Sequence, residues 1–190
     1  MWFFMQKVRK AMESSKKYPL SDLVHVDEFT VAGKEDGKQG RSYDSKKKKA
    51  VIDVELTNKH QVKRVYIKSI DDYSSKFLIP IFEKHISTSA KIFTDKWRGY
   101  EPVKSTYNIT QIVSNNGKNF KILHIIIHQV KSWLRTIPTH VSKRHIQKYF
   151  DEFACRINRS QSKLNIWHNS ILRMINHKPI YNNQIIQNLN

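Results

Sequence analysis

The chain is expected to fold as a mixed α/β protein: one sheet built from a three-strand meander and two further short strands, with flanking and C-terminal helices. Three observations point there. Strand-like segments, most with period-two alternation, fill much of the stretch from Val24 to Val113. Four-residue helical spacing interrupts them once, at Phe77, Ile81 and His85. Beyond Asn119 only helical spacing remains. Strands, a helix, strands and then helices is the order of an α/β or α+β domain.

The first element is a helix. Met5, Val8, Ala11 and Met12 recur at helical spacing behind Trp2, Phe3 and Phe4, with no capping residue ahead of them. Such an apolar helix requires a partner surface. Either it docks on the body or it is the stump of an upstream domain. Pro19 closes this region. Residues 24–32, VHVDEFTVA, form a strand with Val24, Val26 and Glu28 on one face and His25, Asp27 and Phe29 on the other. Residues 33–49 are expected as a polar loop, with Gly33, Gly37 and Gly40 allowing turns and the Lys46, Lys47, Lys48, Lys49 run at its end. Strands over 50–56 and 62–67, joined by a polar stretch, complete the antiparallel meander. A helix over 74–85 carries Pro80 in its middle. The short strand 91–94 delivers Asp95 at its end, and 109–113 is the last strand. Helices are expected over 119–135, 142–158 and 162–175, the first two separated by Pro138.

A length of 190 residues suffices for one domain with a core, and 39% hydrophobic residues is ordinary for a globular chain. No apolar run approaches the roughly 20 residues of a membrane span, and no membrane partner is expected. The N-terminus is apolar first and basic after, the reverse of a secretory signal. The single cysteine, Cys155, excludes a disulfide framework and a cysteine-rich zinc module, and it fits a reducing, cytoplasmic location. Lys and Arg total 34 against 16 acids, a net charge of +18. That excess attracts a polyanion, and nucleic acid is the usual one.

Two acids stand out. Asp27 interrupts an otherwise apolar strand, where an ionised carboxylate is costly unless paired, metal-bound or at a cleft. Asp95 ends a short strand, where α/β sheets place functional groups. Carboxylates converging from separate elements can hold Mg²⁺ or Mn²⁺ for phosphodiester cleavage. The plain alternative is a salt-bridged strand acid and a capping acid. The helix from Asn119 adds to the case. At 100° per residue, Phe120, Leu123, Ile127, Val130 and Leu134 fall within about 80° and face the core. His124, His128, Lys131 and Arg135 fall in an adjoining arc of about 60°, placed for a cleft edge. Lys131 and Arg135 suit phosphate, and His124 suits metal or a proton. His124 and His128 have zinc-ligand spacing but no further ligands. In TDKWRGYEP, Lys96 and Arg98 suit phosphate, while Trp97 and Tyr100 suit base stacking or the core. The lysine run suits a DNA backbone or plain solvation.

VHVDEFTVAGKEDGKQGR, the lysine run, IFTDKWRGYEP and HVSKRHIQKYFDEFACRINRSQ occur in this order. Together they resemble bacterial insertion-sequence DDE transposases of the Merlin-related family, over residues 2–175. The resemblance implies an RNase H-like catalytic domain over 19–178. It makes 1–18 the remnant helix of an upstream DNA-binding unit, lost by N-terminal truncation, and 179–190 a tail. It implies Asp27 and Asp95 as catalytic ligands of Mg²⁺ or Mn²⁺. The family's third position, with a lysine seven residues on, falls on His124 and Lys131, where relatives carry Glu or Asn in place of histidine. The implied activity is metal-dependent cleavage and strand transfer at transposon ends and into target DNA. A homodimer assembled on DNA would perform it, at the nucleoid of a bacterial cytoplasm. The alternative is a truncated, catalytically inactive remnant that only binds DNA.

Overall fold

In the computed structural model the described residues are 2–14, 17–31, 47–115, 117–137, 141–160 and 163–181. The central strand is β1 (Leu23–Val31). It pairs antiparallel with β2 (Lys48–Leu56), which pairs antiparallel with β3 (Val62–Ile70). On its other side β1 pairs parallel with β4 (Lys91–Thr94), and β4 with β5 (Asn108–Gln111). The sheet order is β3-β2-β1-β4-β5, and the mixed sheet flanked by helices is that of an RNase H-like fold. The expected meander and the two short strands are therefore present.

Both faces of the sheet are covered. That is why β2 shows little amphipathic alternation: it is buried almost throughout. On one face Phe29, Ile52, Val54 and Val65 pack against Leu123, Ile127 and Val130 of α3 (Lys121–Arg135) and Phe150 of α4 (Ile146–Asn158). On the other, Val24, Val26 and Val51 meet Leu78 and Phe82 of α2 (Ser75–His85). Tyr100, from the 3₁₀ helix Arg98–Val103, joins the same cluster. Alternation along β1 sends its even-numbered apolar residues to one core and Phe29 and Val31 to the other, as the period of two requires.

The edge of the sheet is sealed from α4. The Val65 N–H donates to Asn158 Oδ1 at 2.7 Å, and Asn158 Nδ2 donates back to the Val65 carbonyl at 2.9 Å. Gln147 treats Ser69 and Ile67 in the same way, each at 2.9 Å. The N-terminal helix α1 (Trp2–Met12) docks on the body against α4 and α5 (Lys163–Asn176). Arg9 Nε meets the buried Glu152 at 2.8 Å, and its guanidinium lies 4.0 Å over the Tyr149 ring.

Several boundaries differ from expectation: β3 runs on to Ile70, β5 ends at Gln111, and the starts of β2 and α4 shift for visible reasons. β2 begins at Lys48, so Lys48 and Lys49 are strand residues and the expected loop ends earlier. Lys49 is 6% exposed, with its ammonium 5.5 Å over the Tyr73 ring; Lys48 donates to the Val141 carbonyl. β-pairing with Thr30 and Val31 and burial of the lysine stems outweigh the polar composition. α4 begins at Ile146, after a turn in which the N–H groups of His145 and Ile146 both bond the Ser142 carbonyl. Lys46, Pro138 and most of the expected tail lie outside the described residues. No described helix is long and apolar enough to cross a membrane.

Candidate functional site

The site lies where the parallel pair β1–β4 ends. The last pair is Val26 with Thr94. β4 stops there, while β1 runs on beside β2. The space next to residues 27 and 28 is left for Asp95, the first residue past β4. One carboxylate oxygen each from Asp27, Glu28 and Asp95 lie within 4.8 Å of one another. Asp27 and Asp95 are thus brought together as the sequence pattern suggests.

Local hydrogen bonds fix these side chains. Asp27 Oδ1 accepts the Glu28 N–H at 2.8 Å. Asp95 Oδ1 accepts the Trp97 N–H at 3.0 Å, an Asx turn that folds the chain back after β4. Gln111 Nε2 donates to the carbonyls of Asp95 and Trp97, tying that turn to β5. Two unit charges 4.8 Å apart repel by roughly 3 kcal/mol at an effective dielectric near 20. Three such carboxylates call for a counter-charge. Oxygen donors of this kind are the ligands that Mg²⁺ and Mn²⁺ take, so the donor set fits a hard divalent cation.

Glu28 was not among the metal ligands expected from sequence. Strand alternation assigned it to the face opposite Asp27, and that assignment holds: Glu28 turns toward Tyr100 while Asp27 turns toward α3. The missed point is that beyond the end of β4 both faces open onto the same space. The signal available was an acid pair, DE, inside an apolar strand.

His124 stands beside this group. Its Nε2 is 3.8 Å from Asp27 Oδ2, and its side chain is 41% exposed. It lies outside the three-carboxylate cluster. Burial, and then the charge of Lys131, lower its pKa below the ordinary histidine value, which keeps the imidazole neutral at pH 7. Gly117 supports the ring from below. Its φ is +83°, and an added Cβ would sit 3.0 Å from His124 Cδ2. Lys131 shares a cleft of about 250 Å³ with Asp27, Glu28, Phe29, Tyr73 and His124. Burial and Arg135 lower the lysine's pKa, and Asp27 acts against that shift. His128 is exposed one turn on and belongs to no metal-holding group among the described residues.

The remaining candidates divide. Lys96, Arg98 and Arg135 are exposed; Lys96 and Arg98 flank Trp97, just past Asp95. Trp97 is committed inward. Its indole N–H donates to the Tyr73 carbonyl at 3.0 Å, and it packs on the core around Leu78 and Phe82. Gly99 permits that approach, because a Cβ there would lie 2.5 Å from the Trp97 Nε1. Of the two roles open to Trp97 from sequence, stacking and packing, its contacts here are packing ones. Tyr100 is wholly buried. Its pKa is raised well above the ordinary value, first by burial and then by Glu28, Asp27 and Asp95. Lys47 is half-buried, and Lys48 and Lys49 sit on the strand, so no exposed lysine track is present among the described residues of the run.

The family model described as an ISXO2-like transposase domain matches residues 19–158, a span that holds the whole sheet, the three carboxylates, His124 and Lys131. No curated protein matches the chain.

Proposed function

This chain belongs to the ISXO2-like transposase domain family, and from that premise we propose that it cleaves DNA strands at transposon ends and joins them to target DNA with the help of a divalent cation. The family implies transposition, DNA binding and a divalent-metal requirement. The observation that carries the finer reading is the convergence of Asp27 and Asp95 at the end of one parallel strand pair, within 4.8 Å.

Asp27 and Asp95 would hold Mg²⁺ or Mn²⁺. Bound there, such a cation supplies Lewis-acid polarisation of a phosphodiester and lowers the pKa of an attacking water or hydroxyl. The chain's own groups do the rest. Lys131 reaches into the cleft beside Asp27 as a positive charge for a bridging or non-bridging phosphate oxygen. The neutral His124, 3.8 Å from Asp27, can accept a proton from an attacking hydroxyl. Arg135, Lys96 and Arg98 offer exposed cations around the cleft for the backbone of bound DNA.

The test is a strand-transfer assay on labelled element-end DNA, run with Mg²⁺ or Mn²⁺. Asp27→Asn and Asp95→Asn are expected to lose at least about 100-fold in product while still binding DNA in a salt-dependent manner. Either variant cutting as well as the parent would sink the assignment. Salt-dependent binding by the parent with no cleavage under any metal would support the binding-only alternative.

A further inference from the structure

We propose that Glu28, and not His124, supplies the third protein ligand of the cation site, with the buried Tyr100 hydroxyl as the group that positions its carboxylate. This rests on the metal-dependent reading of the site given above.

Two independent observations carry it. The first is the ligand geometry. Glu28 contributes an oxygen to the group in which every pair lies within 4.8 Å, whereas His124, 3.8 Å from Asp27, stands outside that group among the described residues. The three acids also approach differently: Asp27 from the α3 face, Glu28 from the Tyr100 face, Asp95 from the strand end between them. A cation among them would be gripped from both sides of the sheet.

The second is Tyr100. Its side chain is fully buried, yet its hydroxyl has no well-formed hydrogen bond among the described residues. Buried hydroxyls are rarely left so without a reason. The acids acting on it are Glu28, Asp27 and Asp95, with Glu28 foremost, so the hydroxyl is aimed into the acid cluster. The ring is fixed from behind by Phe82, 5.9 Å away between centroids. A ligating carboxylate has two oxygens, and the one not on the metal is commonly held by a neighbouring donor that orients it. Tyr100 is built for that task toward Glu28. The arrangement frees His124 for proton transfer and makes the site an all-oxygen one, suited to Mn²⁺ or Mg²⁺ over softer ions.

The test is calorimetric titration of Mn²⁺ into the metal-free 190-residue protein and its variants, without DNA or turnover. Glu28→Gln is expected to weaken Mn²⁺ binding by at least about tenfold, and Tyr100→Phe by severalfold with the metal-free melting temperature retained. His124→Ala is expected to stay within about threefold of the parent. Glu28→Asp, which keeps the charge but draws it back by one methylene, should fall between parent and Glu28→Gln, and it serves if the glutamine variant fails to fold. Parent-like binding by Glu28→Gln, or a loss confined to His124→Ala, overturns the proposal. Asp27→Asn separates the Glu28 assignment from the metal site as a whole. If it abolishes binding while Glu28→Gln does not, only the Glu28 assignment falls; if neither changes binding, the metal site itself falls.

Discussion

The imidazole of His124 stands 3.8 Å from the Asp27 carboxylate and yet is held neutral. Burial sets the direction and Lys131 adds to it, so the nearby acid does not win. A neutral ring beside the carboxylate can take up a proton, whereas a cationic one would compete with a metal ion. The proton NMR titration midpoint of His124 in the metal-free protein is therefore expected below 6.5. Lys131→Met removes the repelling charge while leaving the burial, so it should raise that midpoint toward the ordinary value. A midpoint that stays or falls would show that the lysine does not act on the ring. The stability effect has a definite sign. With its folded pKa depressed, His124 binds fewer protons folded than unfolded, and its contribution declines as pH falls through and below 6.5.

Gly117 holds that imidazole in place by having no side chain. At φ +83° and with the His124 ring against it, alanine would add backbone strain and a contact of 3.0 Å. Gly117→Ala is expected to cost about 1 kcal/mol or more in urea denaturation. It should also shift the His124 ring resonances while leaving those of His145 unmoved. Equal stability and an unmoved His124 signal would remove Gly117 from the site.

Much of this architecture is legible in the sequence alone. Strand β4 has the bounds its residues suggest, because KIFT is a short apolar run that ends in a polar stretch. The α3 stripe follows from its period, Ile126 excepted, because one face of a helix meets one sheet. The pairing of Asp27 with Asp95 comes from ordered motifs, since two isolated acids are ambiguous. What stays hidden depends on strand lengths. Glu28 joins the acids only because β4 stops at Thr94, and no local pattern states which neighbour ends first. Lys49 is buried only because β2 extends back to pair with Thr30 and Val31, which a lysine run does not announce. Trp97 turns inward because Gly99 makes room for it, a contact between two residues whose geometry the sequence does not show.

The amides of α4 make a separate prediction. Asn158 satisfies both the N–H and the carbonyl of Val65 on the outer strand. Asn158→Leu keeps the bulk and strips both partners from a part-buried edge. Each unpaired backbone group costs about 1–3 kcal/mol, so the urea midpoint should fall clearly. The bared edge is also a template for pairing with another chain, and the variant is expected to aggregate on concentration. A variant as stable and monodisperse as the parent would show that water replaces the amide at no cost.

The sharpest pH dependence comes from Asp53, which pairs across the sheet with Val26. It is 1% exposed on β2, and its Oδ1 makes no hydrogen bond among the described residues. Burial raises its pKa from 3.8 to about 7. Between those two values the folded protein holds a proton that the unfolded chain has released. Stability from this group is therefore greatest at low pH and declines as pH rises from about 4 to about 7. Asp151, raised to about 6 by burial, adds a slope of the same sign over a narrower window. His25, His124 and His145, all lowered, give the opposite slope near and below 6.5. The stability curve of the parent mixes these contributions, so the useful quantity is the difference between parent and Asp53→Asn. That difference isolates the one carboxyl. Each pH unit between the folded and unfolded pKa values is worth roughly 1.4 kcal/mol. The asparagine variant is therefore expected to gain up to a few kcal/mol over the parent at about pH 8. Near pH 4 the gain should nearly vanish, because the parent's Asp53 is protonated there. Thermal melts of both proteins at about pH 4, 6 and 8 measure it. A difference that does not grow with pH would mean that Asp53 is charged and accommodated in the core.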